Sequence, residues 1–283
     1  MPNYEFTTED VEYLRHGDKP LIARLYKPKG DGPFPAVIDL HGGAWNSGDL
    51  TGTQGLDQTL AKNGFVVASL NFRHAADGYP NTLIDINYAI RWLKARARDL
   101  KIRPDQIGIA GQSSGGHLAM LAAMRPNDSR YASVPLPAGS PSVDATVRAV
   151  AMSWPVINPL SRYRNAQKLE KGLNPPAFSI GMKEKHDTYW KTEAAMIEGN
   201  PMLLLERGEK VPTPPALWVQ GRPDIVLDYH DDDSSFPGNE PERFVSNYRK
   251  AGGDIDIVYV PNDARSTSVS FDPVAAFFRK HLN

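Results

Sequence analysis

The stretch Gly111-Gln112-Ser113-Ser114-Gly115-Gly116 constrains this chain more than any other. It follows Gln106-Ile107-Gly108-Ile109-Ala110, a short apolar run of buried-strand type. It precedes His117 to Met124, which reads as a helix. A serine raised on a sharp strand-to-helix turn needs neighbours without side chains two positions away, because the backbone crowds there and can require φ > 0. Its hydroxyl then lies by the start of the following helix, where free N–H groups and the helix dipole favour developing negative charge. Ser113 is therefore the candidate nucleophile. Ser114 competes for the role but lacks the symmetric glycine spacing. The plainer alternative is a Gly/Ser turn without chemistry.

A second glycine-rich turn stands upstream. Ala36-Val37-Ile38-Asp39-Leu40 is a buried-type strand, and His41-Gly42-Gly43-Ala44-Trp45 follows it directly. Glycines at a strand end let backbone N–H groups point into a cavity, as an oxyanion hole requires. Gly42, Gly43 and Ser114, the residue after the nucleophile, are the candidate donors. His41 is expected to hold the loop rather than act as a base, and Trp45 to pack beside the pocket. A tight turn without function is the alternative.

The remaining elements alternate. Two mixed strands, around Val11 to Leu14 and Leu21 to Tyr26, open the chain as an antiparallel pair. A helix over 54–62 ends at Asn63-Gly64, and Phe65 to Leu70 is a strand closed by Asn71-Phe72-Arg73. Residues 82–100 form an amphipathic helix with Leu83, Ile86, Ile90 and Leu93 on one face, and 99–105 a loop. Residues 125–148 run over the surface, and 147–154 is a strand. Pro215 to Gln220 is another, then a helix over 240–251, a strand over 255–260, and a closing helix over 272–281 with Val274, Phe277 and Phe278 inward.

Taken in order, these features resemble the α/β-hydrolase superfamily. The similarity lies with esterases that carry an H-G-G oxyanion loop: the hormone-sensitive-lipase-like carboxylesterases and the related feruloyl-esterase and kynurenine-formamidase groups. His41 to Trp45, Asn71-Phe72-Arg73, Ala89-Ile90-Arg91-Trp92-Leu93 and Gly111 to Gly116 with His117-Leu118-Ala119 carry the likeness. It is close over 36–124 and looser elsewhere. It implies an α/β fold with a mostly parallel central sheet flanked by helices, one domain over 1–283 with a helical cap insertion at 156–205. It also implies a serine hydrolase of small or medium, aromatic-tolerant carboxylic esters, working through an acyl-enzyme without a cofactor. Aromatic residues of the insertion are expected to form its own small core. Arg162 and Arg164 could meet a substrate carboxylate, against the plainer expectation, adopted here, of solvated surface.

The resemblance also implies an acid in the loop after the strand ending at Gln220, and Asp224 stands there. It implies a histidine in the loop after the last strand. That loop reads Pro261-Asn262-Asp263-Ala264-Arg265-Ser266-Thr267-Ser268, with Arg265 about where the histidine belongs. Arginine stays protonated and cannot be the base. After Asp224 only His230 and His281 remain, and His230 is the candidate relocated base. His281, on the last helix, is expected at the surface. The competing readings are a ligand-binding protein that has lost hydrolysis, and another carbonyl reaction in the same pocket with Arg265 as an anion-binding group. His230 adjoins Asp231-Asp232-Asp233, but adjacent side chains diverge, so a solvated acidic loop is expected and no metal site.

Composition sets outer bounds. Across 283 residues the net charge is −1, which gives no electrostatic case for nucleic acid or an anionic membrane. The chain has no cysteine, so neither a disulfide nor a thiolate can serve it. Met1 to Phe6 lacks the basic and apolar regions of a signal peptide, and no apolar run is long enough to span a bilayer. The expectation is a cytoplasmic protein acting on small molecules, for which a homodimer is compatible.

Overall fold

The computed structural model describes residues 3–283. Eight strands form one sheet: β1 (Phe6–His16), β2 (Lys19–Pro28), β3 (Phe34–Leu40), β4 (Val66–Leu70), β5 (Ile102–Gln112), β6 (Ala149–Ser153), β7 (Ala216–Arg222) and β8 (Ile255–Pro261), in the order β1-β2-β4-β3-β5-β6-β7-β8. β1 and β2 are antiparallel and β2 meets β4 antiparallel; every later pairing is parallel. The inner strands β3, β4 and β6 are buried along their whole length or nearly so. Helices cover both faces, so these strands read as continuous apolar runs and not as alternating ones.

The helices are α1 (Gln54–Lys62), α2 (Asn81–Ala95), α3 (Ser114–Met124), α4 (Pro159–Glu170), α5 (Met182–Trp190), α6 (Glu193–Glu198), α7 (Pro201–Glu206), α8 (Glu240–Lys250) and α9 (Ser268–Leu282). None of them, among the described residues, is long and apolar enough to cross a membrane. Val274, Phe277 and Phe278 of α9 are buried as their spacing predicts.

Several boundaries differ from the sequence reading, α9 beginning at Ser268 and β1 running from Phe6 to His16, and two of them adjoin Lys101. α2 ends at Ala95 and not near residue 100, because the chain passes through turns to Lys101, whose φ of 52° swings it into β5. β5 therefore begins at Ile102, inside the expected loop. Pro104 is tolerated there at the exposed start of the strand, where its missing N–H leaves no gap in the buried ladder.

The parallel registers place Leu40, Gln112, Ser153, Arg222 and Pro261 at the carboxyl edge of the sheet. Crevices at that edge are where open α/β sheets hold ligands. The four helices α4 to α7 all lie between β6 and β7.

Candidate active site

Ser113 sits at the apex of the turn between β5 and α3 with φ 57° and ψ −120°, a conformation that costs a non-glycine residue of order 1–3 kcal/mol. The surroundings over-determine it. Its N–H donates to Ser153 O at 2.9 Å, and its carbonyl accepts from Val156 N at 3.1 Å and His117 N at 3.3 Å. The flanking glycines are steric necessities. A Cβ on Gly115 would overlap the carbonyl oxygens of Leu40 and His41, so α3 can start against the end of β3 only with glycine there.

Ser114 has a different place. It opens α3, is buried, and its Oγ accepts from Trp45 N at 3.2 Å. That hydroxyl ties the glycine loop after β3 to the helix. Ser113, not Ser114, is left with a hydroxyl at the turn's apex.

The loop from His41 to Trp45 lies against this turn. A Cβ on Gly42 would come within 3.1 Å of Ser113 Cβ, and Gly43 takes φ 113°. Among the described residues, neither the Gly42 nor the Gly43 N–H donates to a protein acceptor. The N–H of Ser114 belongs to the first helical turn, which leaves its donors free. His41 is buried, stacked on Phe72 with centroids 4.3 Å apart, and its Nδ1 donates to Gly42 O at 2.7 Å. Burial lowers its pKa, so it holds the loop as a neutral ring. Trp45 is 1% exposed. Its indole N–H donates to His117 Nδ1 at 3.2 Å, and its ring packs on His186, Tyr189 and Trp190 from α5.

The acid side is built from the loops after β7 and β8. Asp224 is buried. Its carboxylate accepts from Val226 N at 2.8 Å and from Gln220 Nε2 at 3.1 Å. Arg265 follows a short 3-10 turn, Asn262–Ala264, and its guanidinium lies 5.4 Å from the Trp154 ring centroid. The chain after β8 thereby folds back across β7 to the end of β6. Gly221 permits this: a Cβ there would strike the Trp154 indole, whose N–H donates to Asn262 Oδ1 at 2.9 Å. Burial lowers the Arg265 pKa while Asp224 opposes the shift.

The histidines do not complete a serine–histidine–acid chain. His230 is exposed on the loop after β7, with Nδ1 donating to Gly238 O at 3.0 Å. Among the described residues, no hydrogen bond joins its ring, or the ring of any other histidine, to Ser113 or Asp224. His281 is half-buried on Phe277, and its carbonyl accepts from Arg148, which precedes β6 at the opposite edge of the sheet. The three aspartates after His230 diverge as expected, Asp231 to Arg243, Asp232 to Lys168 and Asp233 to Arg164.

Of the two arginines on α4, one departs from its expected setting. Arg164 is exposed and paired with Glu193 and Asp233. Arg162, expected in solvent, is 6% exposed. The α4 pattern hides this, because Leu160, Arg162 and Tyr163 are all buried and no short period separates the two arginines. His186 is fully buried. Its Nδ1 donates to Met182 O at 2.8 Å, leaving Nε2 as a bare lone pair, and burial pushes its pKa down to about 4.

A raised serine on a strand–turn–helix, a glycine loop with free N–H groups, and a mostly parallel sheet presenting both at its carboxyl edge define an α/β hydrolase. The BD-FAE family model matches residues 24–233, and the chain belongs to that family. It is 35% identical over 126 residues to a "Probable carboxylic ester hydrolase LipM" of Mycobacterium tuberculosis, covering 43% of this chain and 29% of that protein. It is 27% identical over 186 residues to an "Arylesterase" of Saccharolobus solfataricus, covering 64% of this chain and 58% of that one. The chain thus spans less than a third of LipM and under two thirds of the arylesterase. Among solved structures, the carboxylesterase EstE1 from a metagenomic library aligns at TM-score 0.74 with 23% identity over 99% of this chain and 91% of its own. "Bacterial Heroin Esterase" aligns at 0.73 with 19% identity over 99% and 85%. These likenesses show the fold.

Proposed function

We propose that the protein is a serine-dependent carboxylic ester hydrolase acting on small-molecule esters. The observation that carries this reading is Ser113, held at φ 57° on the β5–α3 turn with Gly42 packed against it. Strain of this kind is maintained where a hydroxyl must be aimed. Ser113 Oγ attacks the ester carbonyl, and the oxyanion is met by the N–H groups of Gly42, Gly43 and Ser114. The carbonyl then re-forms as the bond to the alcohol oxygen breaks, the proton from Oγ passing through a base to the departing alcohol. Water releases the acid and restores Ser113. Esterase activity in the relatives' names supports the reading.

Asp224 is the acid of the site, its two acceptor bonds fixing it at the carboxyl edge. His230 is the base to test. Its Nδ1–H bond to Gly238 leaves Nε2 free to take a proton. The helices over 156–205 act as a cap on one catalytic domain, anchored to the oxyanion loop by Asn46 Nδ2 donating to Lys185 O at 2.8 Å.

The test is hydrolysis of p-nitrophenyl acetate and butyrate with Ser113→Ala as the control. Loss of serine-dependent kcat/KM by on the order of 10³-fold or more is expected, with the melting temperature kept. Turnover that survives Ser113→Ala rejects the mechanism.

A further inference from the structure

Two carboxyl groups are buried where the glycine loop after β3 is rooted. Asp39 stands one residue before the end of β3, and Asp57 lies in the first turn of α1. Both are wholly buried, and their side chains hydrogen-bond each other. Residues 41–53, which carry Gly42 and Gly43, run between them. Ser69 of β4 is the neighbour of Asp39 in the sheet register. Its Oγ donates to Leu50 O at 3.0 Å, and Leu50 N donates to Asn71 Oδ1 at 2.8 Å. The middle of the loop is thus tied to β4 and the residue after it, and its root is closed by the two acids.

The surroundings cannot satisfy two ionised carboxylates. Asp39 Oδ1 accepts from Leu40 N at 2.9 Å, but Asp39 Oδ2 and both oxygens of Asp57 have no N–H or O–H of another residue type in hydrogen-bonding geometry. Thr53 faces Asp39 with one hydroxyl, and the Ser69 proton is spent on Leu50. Neither acid makes an ion pair among the described residues. Arg24 of β2, the cation that faces Asp57, is forked on Asp10 at 2.7 Å. The other titratable group facing the pair is Tyr26 of β2, and α9 meets α1 with the apolar ring of Phe271. Carboxyl oxygens buried without donors are tolerable only if one group is protonated. Burial raises the Asp57 pKa, and the Asp39 charge raises it further.

We infer that Asp39 and Asp57 share one proton, carried by Asp57 and donated to Asp39, and that this bond is an alkali-labile clasp at the root of the loop that holds Gly42 and Gly43. The folded chain keeps a proton above the ordinary aspartate value of 3.8, where the unfolded chain has lost it. Stability from the clasp is therefore greatest below that value and falls as the pH rises toward the raised folded value. An opening that lets the pair reach water releases the proton, so it becomes about tenfold more favourable per pH unit. Rising pH thereby frees the loop that presents the Gly42 and Gly43 N–H groups. The clasp requires no esterase activity.

The experiment compares the wild type with Asp57→Asn, whose amide copies the protonated acid by donating to Asp39 without a titrating proton. Infrared difference spectra at pH 7 should show one protonated-carboxyl stretch that the variant lacks. In urea titrations, the wild-type unfolding constant should rise against that of the variant by about tenfold per pH unit from pH 5 to pH 8. The hydrogen-exchange rate of peptides over 41–53, taken as the ratio of wild type to variant at each pH, should rise at least tenfold between pH 6 and pH 8. The same ratio for the surface segment 125–148 should stay near one. Should Asp57→Asn not fold, Asp39→Asn takes its place, because its amide donates to Asp57 in the same way. Absence of the carboxyl stretch, or a stability ratio that is flat with pH, overturns the shared proton. A flat exchange ratio over 41–53 overturns the clasp.

Discussion

The two halves of the site are made differently. The half from β3 to α3 is held by close contacts, tight at Gly42 and leaving no room for a Cβ at Gly115. Gly42 abuts Ser113, and Gly115 abuts the carbonyls of Leu40 and His41. The half after β7 and β8 is held by side chains on loops, with Asp224 on Val226 and Gln220, Arg265 over Trp154, and His230 out in solvent. Backbone packing fixes positions to fractions of an ångström and tolerates no change of residue. Side-chain contacts on loops accept a changed residue, and with it a changed task. An arginine can therefore stand where the resemblance implies a histidine while the Ser113 turn remains intact.

That contrast predicts the size of substitutions on each side. The largest effect belongs to Gly115→Ala, which should destabilise the protein by about 3 kcal/mol or more, because backbone on both sides must move. Urea unfolding measures it, and a loss below about 1 kcal/mol would mean that the first half is as pliable as the second.

Between the halves, His117 and His186 clasp Trp45, and burial holds each near a pKa of about 4. Their folded values lie below the unfolded value of 6.5, so the unfolded chain binds the extra protons first. Stability from these rings is complete above about pH 6.5 and is lost as the pH falls toward 4. For His186 alone, the loss between pH 7 and pH 5 is about 2 kcal/mol. Glu240, raised to about 7 by burial, contributes with the opposite slope, so a difference between variants is the clean measure. The wild type should lose about 2 kcal/mol more than His186→Gln over that interval in urea titrations. Parallel losses would show that the ring is not held neutral.

The smallest effect is the most informative about the second half. Arg265→His restores a base within reach of Asp224, and kcat/KM for p-nitrophenyl butyrate should rise about tenfold or more. Its pH–rate profile should gain a limb near the histidine pKa. No gain would mean that the loop after β8 no longer delivers a side chain to Ser113.

The first half was legible in the sequence because its determinants are local. A serine at positive φ needs glycines at fixed spacing, and a glycine loop directly after a strand announces free N–H groups. The order of sheet elements followed from apolar runs and turn residues in the same way. The end of α2 was misplaced because the turn that stops it, Lys101 at φ 52°, is made by a residue with no such signature.

What the sequence determined by itself was the α/β class, the Ser113 turn with the glycine loop upstream of it, and the lack of a histidine in the loop after β8. The tertiary structure alone decided the fate of the charged side chains. Arg162 and Arg164 sit two residues apart on one helix, one buried with open donors and the other in solvent between two carboxylates. Arg265 reaches Trp154 only because Gly221 leaves room above β7. The reason is physical: backbone conformation is set by near neighbours, whereas the surroundings of a long charged side chain are set by whatever the fold brings across the sheet.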